Sequence, residues 1–208
     1  MPDPAHPPTL ILASRSPRRA QLLRDAGFAF EQAAPPFNDP PQPDQSHPGP
    51  PSALAAYLAE QKALSLHPYL QQHPKALILA ADTICVTDAG QLIGTPTDRD
   101  DARRMIQQFI NQTHAVVTGV ALLTINMDAP LTLADETHVA LGPLNSAQLD
   151  EYLDSNTWQG KAGAYNLFER QHAGWPLTVT GDPTTVVGLP MQKLLPALAK
   201  LGLKPTPQ

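Results

Sequence analysis

Short apolar runs alternate with amphipathic stretches along the chain, and this pattern predicts a mixed α/β fold. Residues 9–13 form one apolar run, and residues 76–81 form a continuous one that is typical of a strand covered on both faces. Two longer β-rich runs, 113–126 and 131–141, predict neighbouring antiparallel strands. Further strands are predicted at residues 28–32, 84–87, 91–93 and 177–180, with a hairpin turn at 88–90.

The stretches between these strands carry helical spacing and capping signals. Pro17 suits the first position of a helix over residues 17–26, because its missing N–H has no partner there in any case. Ser52 is the expected N-cap of a helix over residues 53–66, which Pro68 would end. A helix over residues 99–109 would be capped by Thr97 or Asp98, and one over 146–153 by Asn145. A last helix is predicted within residues 184–201, broken or started around Pro190.

Composition narrows the class of protein. The chain has 208 residues, of which 42% are hydrophobic and 16% charged, and it shows no linker, so we expect one globular domain over residues 1–208. Residues 35–51 hold eight prolines and predict an extended loop. The net charge of −5 argues against a nucleic-acid polymer as partner, since such a partner calls for a basic face.

The lack of a visible signal peptide or apolar span, together with the single cysteine, favours a cytoplasmic protein with no membrane partner. The single cysteine, Cys85, rules out an internal disulfide framework and reads as a buried small hydrophobe. The first residues have neither a basic nor an apolar region, and no apolar run is long enough to span a bilayer.

The segment that follows the first strand concentrates hydroxyls and guanidinium groups at the start of a helix. Free N–H groups at a helix N-terminus attract anions, and guanidinium groups bind phosphate oxygens two at a time. The pattern therefore indicates a phosphate site, although a capped helix with solvent-facing arginines fits it as well. The residues concerned are Ser14, Arg15, Ser16, Arg18 and Arg19.

Other polar residues carry an open choice between chemistry and structure. Asp82 stands where the apolar run 76–81 ends, and it could hold a metal, activate a water or cap a turn. Lys62 could reach a phosphate or extend into solvent. Lys161, in the glycine-rich segment 160–166, could add charge to a ligand site or belong to a turn.

Asp182 and His114 also have both a functional and a structural interpretation. Asp182 precedes a helix and could edge a ligand site or serve as an N-cap. His114 lies within a predicted strand and is favoured as a packed or hydrogen-bonded residue rather than a ligand.

Taken together and in this order, the motifs resemble the Maf-like nucleoside triphosphate pyrophosphatases, also named septum formation inhibitor proteins. The most specific matches are Ser-x-Ser-Pro-Arg-Arg at 14–19 and Gly-Lys-Ala-Gly-Ala-Tyr at 160–165, and the resemblance covers residues 9–200. It implies two lobes around an extended mixed sheet, similar to inosine triphosphatase-like enzymes, with a central nucleotide cleft. Residues 1–8 and 201–208 would then be flexible tails.

The resemblance also implies an activity. Family members hydrolyse a nucleoside triphosphate to the monophosphate and pyrophosphate with a divalent cation, Mg²⁺ or Mn²⁺, and often form homodimers. Asp82 matches the proton acceptor that activates water, and it would hold the metal with Asp39. The matched phosphate-binding residues are Ser14, Arg18 and Lys62, and Arg15, Ser16 and Lys161 extend that set.

Base preference follows from three further positions. Arg19 and Thr83 match the branch that takes dTTP and UTP, whereas Phe168 stands where that branch has glutamine. The aromatic ring of Phe168 leaves a modified pyrimidine or purine nucleotide as an alternative substrate.

Departures from the family pattern also affect the expected rate. Thr95 replaces a lysine, and Thr185 replaces a frequent asparagine. Asp39 replaces a glutamate and is one methylene shorter. Losing the lysine leaves open a nucleotide-binding regulator with weak or no catalysis.

Overall fold

A seven-stranded mixed sheet forms the centre of the protein. In the computed structural model, which describes residues 8–38, 43–44 and 48–205, the strand order is β2-β1-β3-β5-β6-β7, and β4 pairs with part of β3. The strands are β1 (Thr9–Ala13), β2 (Phe30–Ala33), β3 (Ala76–Val86), β4 (Leu92–Ile93), β5 (Gln112–Leu123), β6 (Leu131–Leu141) and β7 (Leu177–Thr180).

Helices cover both faces of this sheet, so the mixed α/β prediction is confirmed. They are α1 (Pro17–Asp25), α2 (Pro51–Ser65), α3 (His67–Gln72), α4 (Arg99–Phe109), α5 (Ser146–Asp154), α6 (Leu167–His172), α7 (Pro183–Val187) and α8 (Met191–Lys200). A short 3₁₀ turn, Ala162–Ala164, precedes α6. Within the described ranges, no helix combines the length and apolar character needed to cross a membrane.

Alternation along β1 divides the core between the two faces. Leu10 and Leu12 pack with apolar residues of α1 and α8, whereas Ile11 and Ala13 pack with those of α2 and α3. Successive side chains of a strand point to opposite faces, which explains why the run is apolar throughout rather than alternating.

The sheet has a gap at one edge of β3. β1 runs parallel to β3 and pairs with it as far as Ala13 and Ala80, and β4 pairs with β3 only at Cys85 and Val86. On the opposite edge, β5 pairs antiparallel along nearly all of β3. Residues 81–84 therefore have a strand on one side only among the described residues, and the backbone groups of the other edge are available to side chains.

Asp82 lies inside this long strand, which corrects the expectation that it stands at a strand end. The antiparallel register joins Asp82 to Gly119 and continues without a break to Val86. A polar residue interrupts the apolar run at Asp82, but main-chain pairing with β5 carries the strand past it. The carboxyl end that meets the gap is that of β1, where the segment beginning at Ser14 follows.

Two helix boundaries also differ from the sequence prediction. Helix α2 begins at Pro51 after Pro50, with no side-chain cap, so Ser52 is a first-turn residue rather than the N-cap. Pro68 is the second residue of α3 rather than the residue that ends α2, because proline is tolerated in the first turn of a helix.

Other local predictions are confirmed. Asp98 caps α4 and Asn145 caps α5, each accepting from a main-chain N–H three residues on. β3 and β4 form the predicted hairpin, and β5 and β6 are antiparallel neighbours. Of the expected tails, residues 1–7 and 206–208 lie outside the described residues. Leu203 packs into the same core cluster as residues of α8, so the expectation of a flexible tail is wrong at that residue.

Candidate active site

A cleft opens at the gap in the sheet and gathers most of the predicted site residues. Its lining combines a polar part near the start of α1 with an apolar wall. The polar residues are Ser16, Arg18, Arg19, Lys62, Asp82, Thr83, Thr95 and Asn166, and the apolar wall includes Cys85, Val116, Tyr165, Val186 and Val187. An adjoining depression shares Ser16, Arg18, Arg19 and Lys62 and adds Ser14 and Arg15.

Asp82 and Lys62 form a buried ion pair in this cleft. Lys62 Nζ donates to Asp82 Oδ1 at 2.5 Å, and the two side chains keep 8% and 12% of their surface exposed, respectively. Lys62 therefore does not extend into solvent. A buried carboxylate needs such a partner, because removing an unpaired charge from water is costly.

A close helix–strand contact brings Lys62 to this place. Helix α2 packs across β5 at Gly119, the residue in register with Asp82. A Cβ atom at Gly119 would lie 2.2 Å from the carbonyl carbon of Ala55, so any other residue would push α2 outward. The glycine lets the helix approach the sheet, and Lys62, two turns further along α2, then reaches the carboxylate.

The segment before α1 folds as a capped turn with accessible polar groups. Ser16 is the N-cap of α1 and accepts from Arg19 N, and Ser14 Oγ accepts from Ser16 N at 3.1 Å. The Arg15 side chain is exposed, and Arg18 Nη2 donates to the Gly160 carbonyl at 3.2 Å. Burial lowers the pKa of Arg18, but guanidinium groups stay charged at neutral pH.

The Arg19 guanidinium group hydrogen-bonds to groups on β3 and to the turn after α7, and so connects them across the gap. Its Nη1 donates to the Ala81 carbonyl at 2.8 Å, a group that faces the gap beside Asp82. Its Nε donates to the Gly188 carbonyl at 2.9 Å, and its Nη2 donates to Thr83 Oγ1 at 3.0 Å. A Cβ atom on Gly188, whose φ is +116°, would lie 2.9 Å from Arg19 Nε.

A chain of hydroxyls continues from Arg19 through the sheet. Thr83 Oγ1 and Thr118 Oγ1 are 2.9 Å apart, and Thr118 Oγ1 donates to the Thr185 carbonyl at 2.7 Å. A guanidinium group only donates and a carbonyl only accepts, so the proton directions are fixed: Arg19 donates to Thr83, Thr83 to Thr118, and Thr118 to Thr185. Thr185 Oγ1 then donates to Asp135 Oδ2 at 2.6 Å.

Lys161 and Phe168 occupy different surroundings from the cleft polar groups. Lys161 Nζ pairs with the Glu169 carboxylate. Burial lowers the pKa of Lys161, and the charge of Glu169 opposes that shift. Phe168 lies on α6 with 42% of its surface exposed. Asp39 lies outside the described residues.

Asp182 and His114 have structural roles in the fold. Asp182 caps α7 by accepting from Thr184 N, and it also accepts from Gln192 N in α8. His114 Nε2 lies 2.7 Å from the Tyr165 hydroxyl, and its ring stacks on Phe109. Burial lowers the pKa of His114 to about 4, and the charge of His138 adds to the shift.

Part of the apolar wall and one polar residue of the cleft were not predicted from the sequence. Cys85 lines the cleft, but burial raises the pKa of its thiol to about 12, which keeps it protonated and unreactive. Asn166 is the polar residue that was not predicted. It lines the cleft and caps α6, a helix that was not predicted either, by accepting from Glu169 N at 3.0 Å. The available signal was Asn166 followed three residues later by Glu169, a spacing typical of a helix start.

The donor set of the cleft restricts how a divalent cation could bind. Within the described ranges, no group of three or more histidine, cysteine, aspartate or glutamate side chains is placed to hold a metal. Asp82 supplies one carboxylate. Mg²⁺ commonly takes one or two carboxylates and completes its shell with water and substrate phosphates, so the residues fit a cation that binds together with a phosphate ligand.

Comparison with known proteins gives the chain its family. The model described as Maf-like protein matches residues 9–201. Similar curated proteins include a dTTP/UTP pyrophosphatase of Symbiobacterium thermophilum, 37% identical and covering 93% of this chain and 94% of that protein. The dTTP/UTP pyrophosphatase of Salinibacter ruber is 35% identical over 89% of this chain and 87% of its own. That of Bacillus pumilus is 34% identical over 94% and 98%. The chain therefore belongs to the Maf-like protein family.

Proposed function

We propose that the protein hydrolyses a nucleoside triphosphate to the monophosphate and pyrophosphate, with dTTP and UTP as its substrates. The observation that carries the proposal is the buried Asp82 carboxylate in a cleft bordered by guanidinium groups and a helix N-terminus. The names of the relatives, which are dTTP/UTP pyrophosphatases at 34–37% identity, support the reaction and the base preference.

The phosphates bind at the polar end of the cleft in this proposal. A triphosphate resists attack by water until its negative charges are screened. Arg15 and Arg18 supply positive charge, and Ser14, Ser16 and the first N–H groups of α1 supply hydrogen-bond donors. Arg19 and Thr83 hydrogen-bond to each other and lie beside Gly188, the residue that follows Val187 of the apolar wall; in this proposal they shape the site of the base.

Asp82 acts as the general base. Its carboxylate takes a proton from a water molecule, whose oxygen attacks the α-phosphorus; the bond from that phosphorus to the bridging oxygen breaks, and pyrophosphate leaves with its electron pair. Lys62 is a positioning residue for this step, since its hydrogen bond fixes the carboxylate. Mg²⁺ or Mn²⁺, held by Asp82 and Asp39 with the phosphates, would supply further charge neutralisation.

The form in which the protein acts follows from the family resemblance. We infer one domain that works as a homodimer in the cytoplasm, without a nucleic-acid or membrane partner. Sedimentation equilibrium of the purified protein tests the homodimer, and a single species at the monomer mass of 22.4 kDa would contradict it.

The decisive test is pyrophosphate release from a panel of nucleoside triphosphates with Mg²⁺ or Mn²⁺. We expect wild type to release pyrophosphate from dTTP and UTP, and Asp82→Asn to lose about 10²–10⁴-fold in kcat, the usual contribution of a general base. Asp150→Asn is the matched control, because Asp150 also pairs with a cation, Arg99, but lies on α5 outside the cleft.

Two results would contradict the proposal in different ways. Full activity of Asp82→Asn would remove Asp82 as the base. Absence of pyrophosphate release from every nucleotide, with thermal stabilisation by UTP intact, would identify a nucleotide-binding regulator instead.

A further inference from the structure

Asn166 holds an amide with one end fixed and the other available to a ligand. The side chain lines the cleft, and the residue is only 8% exposed. Its Oδ1 accepts from Glu169 N at 3.0 Å as the N-cap of α6. That bond requires an acceptor, so it fixes which end of the amide is oxygen. The two N–H groups of Nδ2 have no hydrogen-bond partner among the described residues.

An amide donor that lines a cleft and lacks a partner is available to a ligand acceptor, and a bound ligand would have to satisfy it, because nearly all buried polar groups in proteins are hydrogen-bonded. The Asn166 Nδ2 atom is not among the fully enclosed polar atoms that lack a partner, which are His114 Nδ1 and Arg170 Nε in the part of the chain that the structure describes. Its donors are therefore open to the cleft rather than trapped in the core.

The neighbours of Asn166 indicate which part of a nucleotide it meets. The adjoining depression holds the exposed guanidinium group of Arg15 and suits phosphates. Asn166 does not line that depression; it lines the cleft, directly after Tyr165 of the apolar wall. A neutral donor beside an apolar wall matches the carbonyl oxygen of a base better than a phosphate group.

We propose that Asn166 is a specificity-determining residue, whose Nδ2 donates a hydrogen bond to a carbonyl oxygen on the pyrimidine base of the bound nucleotide. The inference rests on the proposed function, since it assumes a nucleoside triphosphate in the cleft. A site that hydrogen-bonds a substrate group rejects analogues that lack it, because its own donor is then left unpaired.

The test pairs a change in the protein with a change of one atom in the ligand. Asn166→Asp keeps the helix cap, because aspartate is as good an N-cap as asparagine, but replaces the donor by an acceptor. The ligands are UTP, 2-thio-UTP and 4-thio-UTP, since sulfur is a poor hydrogen-bond acceptor at one carbonyl position at a time. Binding is measured by calorimetry in an Asp82→Asn background, where hydrolysis is suppressed.

We expect the parent to bind one of the two thio analogues about 5- to 20-fold more weakly than UTP, which corresponds to one hydrogen bond. This penalty should vanish in Asn166→Asp. Added negative charge near the phosphates weakens all three ligands alike and cancels in the ratio. Asn145→Asp is the matched control, because Asn145 caps α5 in the same way, with its Oδ1 accepting from Gln148 N at 2.9 Å, and should keep the penalty.

Equal thio penalties in the parent and in Asn166→Asp, or no penalty for either analogue in the parent, would overturn the proposal. Failure of UTP to bind the parent would overturn it as well. The proposed hydrolysis is judged separately by pyrophosphate release from wild type. A protein that shows the expected thio coupling but releases no pyrophosphate would retain Asn166 as a base-reading residue of a nucleotide-binding protein.

Discussion

Lys62 Nζ lies 2.5 Å from Asp82 Oδ1, although the two residues belong to different elements, α2 and β3. Both side chains are buried at the edge of the cleft. The ion pair has two effects. Each charge neutralises the other inside the protein, and Lys62 fixes the position of the carboxylate that we propose as the base. Each residue is needed for the other to be tolerated in the fold.

Removing the lysine should therefore destabilise the protein through the carboxylate that remains. We expect Lys62→Met to lower the free energy of unfolding by about 3–5 kcal/mol, the cost of breaking a buried ion pair. Adding Asp82→Asn should recover part of this loss, because no charge is then left without its partner. Urea denaturation of both single variants and the double variant measures the coupling. Strictly additive losses would show that the two groups do not interact.

Breaking the hydroxyl chain that begins at Arg19 should weaken substrate binding as well as destabilise the fold. Thr118→Val keeps the side-chain shape but leaves the Thr185 carbonyl without its donor, at a cost of about 1–3 kcal/mol in stability. We also expect a lower kcat/KM for UTP, chiefly through KM, because Thr83 loses its acceptor and Arg19 its fixed orientation. Steady-state kinetics and urea denaturation measure the two effects.

A second buried threonine supplies the control for that variant. Thr137 Oγ1 donates to the Asp182 carbonyl at 2.9 Å, within β6 and away from Thr83. Thr137→Val should cost similar stability and leave kcat/KM for UTP unchanged. Equal kinetic losses in Thr118→Val and Thr137→Val would show that the hydroxyl chain has no special link to the substrate.

Stability should fall in mild acid because of His114. Burial lowers the pKa of this group from 6.5 to about 4, so between these values the unfolded chain binds a proton that the folded protein does not. The penalty is absent above pH 6.5, grows as the pH falls, and levels off below about pH 4. At pH 5 it amounts to about 2 kcal/mol, at 1.36 kcal/mol per pH unit.

His114→Gln should remove that component of the pH dependence. The measurement is the free energy of unfolding at pH 7 and pH 5, compared with wild type. His172→Gln, which changes an exposed histidine, is the control and should keep the wild-type difference. An unchanged difference between pH 7 and pH 5 in His114→Gln would assign the acid sensitivity to other groups.

Local signals in the sequence were sufficient to predict many of the helices and strands. Pro17 at the start of α1 and the N-caps Asp98 and Asn145 act over three or four residues, so the chain can be interpreted there without its tertiary contacts. The motif at Ser14–Arg19 was likewise contiguous, and the polar groups of the proposed phosphate site follow from it. The place of Asp82 within β3 did not follow, because strand length depends on pairing with β5, a partner more than thirty residues away.

The sequence by itself determined the mixed α/β class, the family, and which residues carry candidate chemistry. Only the tertiary structure decided how they combine: Lys62 beside Asp82, Arg19 on the Ala81 carbonyl, and the Asn166 amide in the cleft. These contacts join elements far apart in the chain, and they depend on backbone approaches such as that of α2 at Gly119. Periodicity and capping report the environment of single elements, whereas an active site is set by distances between them.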